Sequence, residues 1–298
     1  MSAIRSSCAW SWAVLALMPM AAWGQASPAP QASSGNRITV PLTTPAKPAT
    51  LQVSLIAGSI VVTGYEGKEV LIESRSRAED DESSQNSDDA DRERDAKDSD
   101  PEDRARGLRR VPNLSSGLTV EEEDNVVSVN GPFQGRSVDL DIKVPVACVL
   151  QLHTVNDGDI IIRNVKGEIE ADNTNGRVTL IRVTGPVVAH ALNGDVVASF
   201  AAPVGDRPSS FSSMNGDIDV TLPGDVKAAV RVRADNGEIF TDFDLKLETR
   251  NEPATDRGGS HGKKVFGFET GMYGTLNGGG PTLRFQTFNG NVYIRKAK

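Results

Sequence analysis

Glycine recurs at every ninth position in the middle of this chain. The stretch VNDGDIIIRNVKGEIEADNTNGRVTLIRVTGPVVAHALNGDVVASF, residues 155–200, has glycine at 158, 167, 176, 185 and 194. In every repeat the second and fourth residues after the glycine are apolar. Two apolar positions spaced by two and followed by a turn are typical of a short strand with one buried face. We expect the glycines to supply the positive φ of a tight corner. The period therefore predicts a chain of short strands.

These strands could pair in two ways, as hairpins or as a parallel stack. If Lys166 and Gly167 formed a hairpin turn, Ile160 would face Asn173, and asparagine would enter the apolar layer. A period of 18 instead places apolar residues on apolar residues. The superposed sets are Ile160, Val178 and Val196; Ile169 and Val187; Ala171 and Ala189. We therefore predict an all-β fold, a parallel β-solenoid or β-helix-like stack of short strands with about 18–22 residues per coil.

The corner residues repeat as well. The period aligns Asp157, Asn175 and Asn193, whose side chains could bond to one another in a ladder. Looser copies of the Asn-Gly corner occur further along the chain. The predicted structural turn glycines are Gly158, Gly167, Gly176, Gly185, Gly194, Gly216, Gly237 and Gly290.

The domain organisation follows from composition. Residues 1–26 are typical of a signal peptide, because Arg5 precedes an apolar stretch too short to cross a bilayer. We expect a flexible linker over 27–36 and one solenoid domain over 37–298. That domain contains a charged insertion over 76–110, predicted to be disordered, since residues 79–103 hold 13 acidic and 3 basic residues and no apolar residue beyond alanine. It also contains a Gly-rich irregular excursion over 251–280.

The signal peptide predicts an exported protein, located in the periplasm, in the cell envelope or outside the cell. No second long apolar run exists, so we expect no integral membrane span after signal removal. Without the signal peptide the one cysteine left is Cys148, in the apolar run VPVACVL, and we expect a buried, inert thiol there.

The candidate binding face consists of outward residues of one strand and its neighbour: Glu168, Glu170, Asp172 and His190. Clustered carboxylates on such a face could bind or process carbohydrate, or hold a cation. Alternating outward charges are also what any soluble strand carries. The corner acids Asp159, Asp195 and Asp217 could bind calcium, but local turn hydrogen bonds suffice to explain them. We therefore predict no catalytic residue, no metal site and no cofactor.

A second outward row, Ile161, Thr179 and Val197, is apolar and β-branched. We expect the N-terminal strands of the same chain, or alternatively a partner, to cover it. The sequence has no basic stripe with interleaved aromatic residues, so we expect no nucleic-acid binding.

Two stretches carry a family resemblance: VDLDIKVPVACVLQLHTVNDGDIIIRNVKGEIEADNTNGRVTLIRVTG and LRFQTFNGNVYIRK. They resemble the bacterial putative-adhesin family of β-strand-repeat proteins, a domain of unknown function. The likeness covers most of residues 37–298 apart from the acidic insertion. It implies an exported, β-helix-like protein of the cell envelope, with adhesion suggested and no catalytic residues to transfer.

Together these features predict a non-enzymatic, exported structural or adhesin-like protein of the cell envelope. It would display a repeated β-strand surface to a protein or glycan of the envelope. The alternative is a carbohydrate-binding or carbohydrate-active β-helix that uses the outward acidic face. The oligomeric state stays open.

Overall fold

The computed structural model describes residues 36–77, 117–132, 137–202, 205–245, 248–253 and 268–298. These residues form 21 strands and no helix, and therefore no helix that could cross a membrane. The predicted signal peptide, nearly all of the predicted linker and most of the predicted charged insertion lie outside the described residues.

The strands form two large, mostly parallel sheets, here called sheet A and sheet B. Sheet A runs in the spatial order β1 (Asn36–Pro41), β4 (Glu69–Ser76), β7 (Val138–Pro145), β3 (Ile60–Tyr65), β9 (Ile160–Arg163), β11 (Val178–Val183), β13 (Val196–Phe200), β15 (Ile218–Leu222), β21 (Val292–Lys296), β17 (Ile239–Thr241). Sheet B runs β18 (Glu248–Pro253), β19 (Phe268–Leu276), β16 (Ala228–Asn236), β20 (Thr282–Asn289), β14 (Ser209–Asn215), β12 (Val187–Asn193), β10 (Ile169–Asn175), β8 (Cys148–Asn156), β2 (Ala49–Ala57), β6 (Val126–Asn130), β5 (Thr119–Glu123).

The parallel register predicted from the 18-residue period is confirmed. Ile160, Val178 and Val196 are successive partners in sheet A, and Ile169 pairs with Val187 in sheet B. From β8 to β15 the chain alternates between the two sheets. Each turn of the chain, here called a coil, therefore adds one strand to sheet A and one to sheet B. The hairpin alternative is wrong, because Lys166 bridges parallel to neighbouring coils instead of closing a turn.

The core lies between the two sheets. Alternate residues of each strand point inward, and those of β9, β11 and β13 are fully or almost fully buried. Burial of one Val, Ile or Leu side chain stabilises a fold by about 1.5–3 kcal/mol. Because β9, β11 and β13 each bury only two or three side chains, and one of these is an alanine, a single coil has a small core, and stability comes from stacking. Cys148 is buried as predicted.

At both ends of the sheets, the spatial order of the strands differs from their order in the sequence. Near the N terminus, β7 lies between β4 and β3, although it follows both in sequence. Near the C terminus, β20 and β21 lie between β14 and β15 on one side and β16 and β17 on the other. Antiparallel strands complete the ends, with β1 and β4 in sheet A and β5, β18 and β19 in sheet B.

Two expectations need correction. The predicted irregular excursion over 251–280 contains the end of β18 and all of β19, which pair antiparallel; residues 254–267 lie outside the described residues. The row Ile161, Thr179 and Val197 is in register and half-buried, but the described N-terminal strands do not cover it. They extend the sheets instead, because their own apolar faces complete the core.

Candidate functional site

The Asn-Gly corners form the most regular feature of the molecule. A Cβ atom added to Gly176 would lie 2.1 Å from the carbonyl oxygen of Gly158, and one added to Gly194 would lie 2.1 Å from that of Gly176. The stack continues through Gly58, Gly158, Gly176, Gly194, Gly216, Gly290 and Gly237. We expected positive φ to require these glycines. Gly194 has no positive φ, so the close approach of the neighbouring coil is the reason for glycine there.

Gly167 and Gly185 lie at the opposite corner of the coil. An added Cβ atom would lie 2.2 Å from the Cys148 carbonyl oxygen at Gly167 and 2.4 Å from the Gly167 carbonyl oxygen at Gly185. Gly185 also has a φ of 114°, so it meets the conformational expectation as well as the steric one.

The asparagines that precede the corner glycines bond to one another. From Asn175 onward, each Nδ2 donates to the Oδ1 of the asparagine one place earlier in the stack, at 2.8–2.9 Å. In spatial order the ladder comprises Asn156, Asn175, Asn193, Asn215, Asn289 and Asn236. Asp157 was the predicted first member, but it is an extra residue at its corner with a φ of 57°, and Asn156 takes the ladder position.

A buried polar residue completes each of four corners. Thr154, Asn173, Ser213 and Thr287 donate from the side chain to the carbonyl oxygen of a corner glycine at 2.9–3.1 Å. All four are buried. A buried carbonyl without a partner would be costly, so these residues satisfy the backbone where two coils meet. The motif Thr/Asn/Ser-x-Asn-Gly is thus a stacking device.

The corner acids also serve the backbone. The Oδ1 atoms of Asp159, Asp195 and Asp217 accept the backbone N–H groups of Arg177, Asp217 and Asn291, at 2.8, 3.0 and 2.7 Å. Each acceptor and donor belong to neighbouring coils. The described residues contain no group of three His, Cys, Asp or Glu that could hold a metal ion. The corner acids therefore bond between coils and not, as we had expected, within their own turn.

The predicted acidic face lies on the outer side of sheet B, where β10 presents Glu170 and Asp172 and Glu168 immediately precedes the strand. The Glu168 carboxylate accepts a hydrogen bond from Arg207 at 2.7 Å. Asp172 and His190 are partners in register, as predicted. However, the ring nitrogen Nδ1 of His190 lies 2.8 Å from the hydroxyl of Ser212, on the far side from Asp172.

The sequence reasoning missed His153 as a member of this face. Its Nδ1 atom lies 3.8 Å from a carboxylate oxygen of Asp172. A strict period of 18 would place Thr154 beside Asp172, but the extra residue Asp157 shifts that pair of strands to a spacing of 19. The positive φ at Asp157 is the local sign of this insertion.

The acidic face is open to solvent, and its geometry does not resemble an enclosed active site. Carboxylates at alternate positions of one strand lie about 7 Å apart, which would suit an inverting glycosidase. The acid of such a pair also needs an enclosed or apolar site that raises its pKa. Here the side chains of Glu168 and Asp172 are 46% and 49% exposed on the outer face of a sheet. The arrangement suits contacts with a ligand better than acid–base chemistry.

Comparisons with known proteins give little guidance. No family model matches the chain, and no curated protein matches it. Two solved structures are similar to it. A putative cell adhesion protein from Clostridium sporogenes shares 10% identity, with a TM-score of 0.39, over 88% of this chain and 100% of that one. A putative adhesin from Bacteroides fragilis shares 11% identity, also with a TM-score of 0.39, over 89% and 98%. Neither likeness is close enough to assign a family or a function.

Proposed function

We propose that this protein is an exported, non-enzymatic interaction protein of the cell envelope, adhesin-like in action, and that its fold is a parallel β-solenoid. One observation carries the proposal. The repeated residues, namely the corner glycine, the ladder asparagine and the buried Thr, Asn or Ser, all make contacts between coils. The outward residues differ from coil to coil. The repeat is therefore a scaffold, and recognition belongs to the outward rows.

The register of the strands gives these rows a regular geometry. One row on sheet B runs through Ser128, Gln52, Gln151, Glu170, Val188, Ser210, Arg284 and Arg231. Neighbouring strands lie about 4.8 Å apart, so the row extends over about 34 Å. A rigid row of this length favours an extended partner that makes many weak contacts. The contributions of these contacts to the affinity combine. Export is supported by the signal-type sequence of residues 1–26.

The test is to express the full chain in a bacterial host and to follow its location and its binding. We expect cleavage after the signal peptide, detected by mass spectrometry, and saturable binding of the purified protein to isolated cell envelopes. Recovery of uncleaved protein in the cytoplasm, or no binding to envelopes, would refute the proposal.

The same purified protein distinguishes the proposed function from the carbohydrate-active alternative. Glu170→Ala and Asp172→Ala change the acidic face without touching a corner. We expect envelope binding to persist in both variants and no polysaccharide to be cleaved. Turnover of a polysaccharide that both variants abolish would favour the alternative.

A further inference from the structure

The charge on the outer face of sheet B changes sign along the stack. Strand β10 carries the acidic face, whereas β20 and β16, three and four strands further along, carry Arg284, Arg231 and Arg233. At about 4.8 Å per strand, the centres of the two regions are about 14–19 Å apart. We call these three arginines the arginine cluster.

Two members of the cluster are direct neighbours. Arg284 and Arg231 are partners in the parallel register, so their backbones lie about 4.8 Å apart and their side chains leave the same face of the sheet. Like charges placed opposite each other on a sheet repel. Arg284 is exposed, and no ion pair or hydrogen bond to its guanidinium occurs within the described part of the chain. The Arg284 guanidinium is therefore the member of the cluster that is open to an anion from solution.

The surroundings hold the cluster in place and suit a polar ligand. The Arg231 guanidinium lies 5.2 Å from the centre of the Tyr273 ring, and Arg233 donates to Asp235 at 2.9 Å. The neighbours of Arg284 along the row and beside it are Ser210, Ser212 and Gln286. These hydroxyl and amide groups can bond to sugar hydroxyls, and an aromatic ring offers an apolar surface.

We propose that the arginine cluster binds the anionic groups of an acidic polysaccharide, such as uronate carboxylates or sulfate esters. This inference rests on the proposed interaction function and specifies its ligand. Guanidinium groups form paired, charge-assisted hydrogen bonds to planar or tetrahedral oxyanions. A polysaccharide fits better than an anionic bilayer, because the side chains around Arg284 are hydroxyls and an amide, which gain nothing from insertion among lipid chains.

The experiment measures binding of the purified protein, as processed by the expressing cells, to polygalacturonate and dextran sulfate at low and moderate salt. Neutral dextran and vesicles containing anionic lipid serve as comparison ligands. The test variant is Arg284→Gln. The matched control is Arg163→Gln, which removes the same charge from β9 on the opposite sheet. Circular dichroism and thermal unfolding check that both variants fold.

We expect saturable binding to at least one polyanion, none to neutral dextran, and weakening by added salt. Arg284→Gln should raise the Kd at least tenfold, and Arg163→Gln should leave it within twofold. Absence of polyanion binding, an equal loss in both variants, or binding to the vesicles alone would overturn the inference. If wild-type protein binds envelopes without binding polyanions, this inference fails and the proposed function stands; if it does not bind envelopes, the proposed function fails.

Discussion

Replacing Gly194 with alanine tests whether contact between coils is the reason for the glycine stack. The added Cβ atom would lie 2.1 Å from the Gly176 carbonyl oxygen, whereas ordinary contact begins at 3.4 Å. The two coils would have to separate locally by about 1.3 Å. Two backbone hydrogen bonds join them at this corner, from Gly176 to Asn193 at 3.1 Å and from Val178 to Asp195 at 2.9 Å. Both would stretch beyond hydrogen-bond length.

The expected cost combines two effects. Loss of two hydrogen bonds costs about 2 kcal/mol, and overpacking costs about 1–3 kcal/mol more. We therefore expect Gly194→Ala to lower the free energy of unfolding by about 4 kcal/mol. Folded domains are typically stable by about 5–15 kcal/mol, so the variant should be close to unfolding.

Gly205→Ala is the matched control, because its added Cβ atom would meet nothing nearer than Pro186 Cδ at 3.7 Å. We expect it to remain within about 0.5 kcal/mol of the wild type. Urea titrations followed by circular dichroism give both free energies, provided that the slopes agree. If Gly194→Ala were less than about 1 kcal/mol below Gly205→Ala, the steric argument would be refuted.

Three further predictions concern the ladder, a surface carboxylate and the buried thiol. Asn193→Ala removes the bonds to Asn175 and Asn215 and should cost about 1–2 kcal/mol in the same titration; an unchanged midpoint would show that the ladder contributes nothing. The backbone N–H and hydroxyl of Thr43 hold the pKa of the Glu122 carboxyl below its ordinary value of 4.5. The ionised Glu122 carboxyl stabilises the fold above pH 4.5, and this effect is lost as pH falls through the lowered pKa. The difference in Tm between wild type and Glu122→Gln should therefore shrink on acidification from pH 7 to pH 3. A constant difference would contradict this. Burial raises the pKa of the Cys148 thiol to about 12, so iodoacetamide at pH 8 should alkylate its peptide, followed by mass spectrometry, after unfolding and not before.

The central part of the fold could be predicted because local and long-range signals agree there. Two apolar positions per strand and an 18-residue period determine which residue stacks on which, as with Val178 between Ile160 and Val196. A single extra residue at Asp157 was enough to hide the contact between His153 and Asp172. The face was therefore predicted in part.

The order of the C-terminal coils could not be predicted in the same way. The corners at Gly237 and Gly290 have the same local sequence pattern, so either could stack on Gly216. Packing in the core favours the second, because Phe285 on β20 stacks on Phe211 of β14 at 5.4 Å, and β16 has no aromatic residue to offer. The arginine cluster was missed for a related reason, since Arg231 and Arg284 meet only in this stack order.

The interleaved C-terminal coil constrains the order in which the strands can assemble as the chain is synthesised. Strands β16, β18 and β19 are complete by residue 276 and can pair among themselves. They join the rest of sheet B only through β20, residues 282–289. Folding therefore cannot proceed steadily from the N terminus to the C terminus, and this long-range closure must come late. A chain that ends at residue 281 would retain its outermost strands and lack the layer that attaches them.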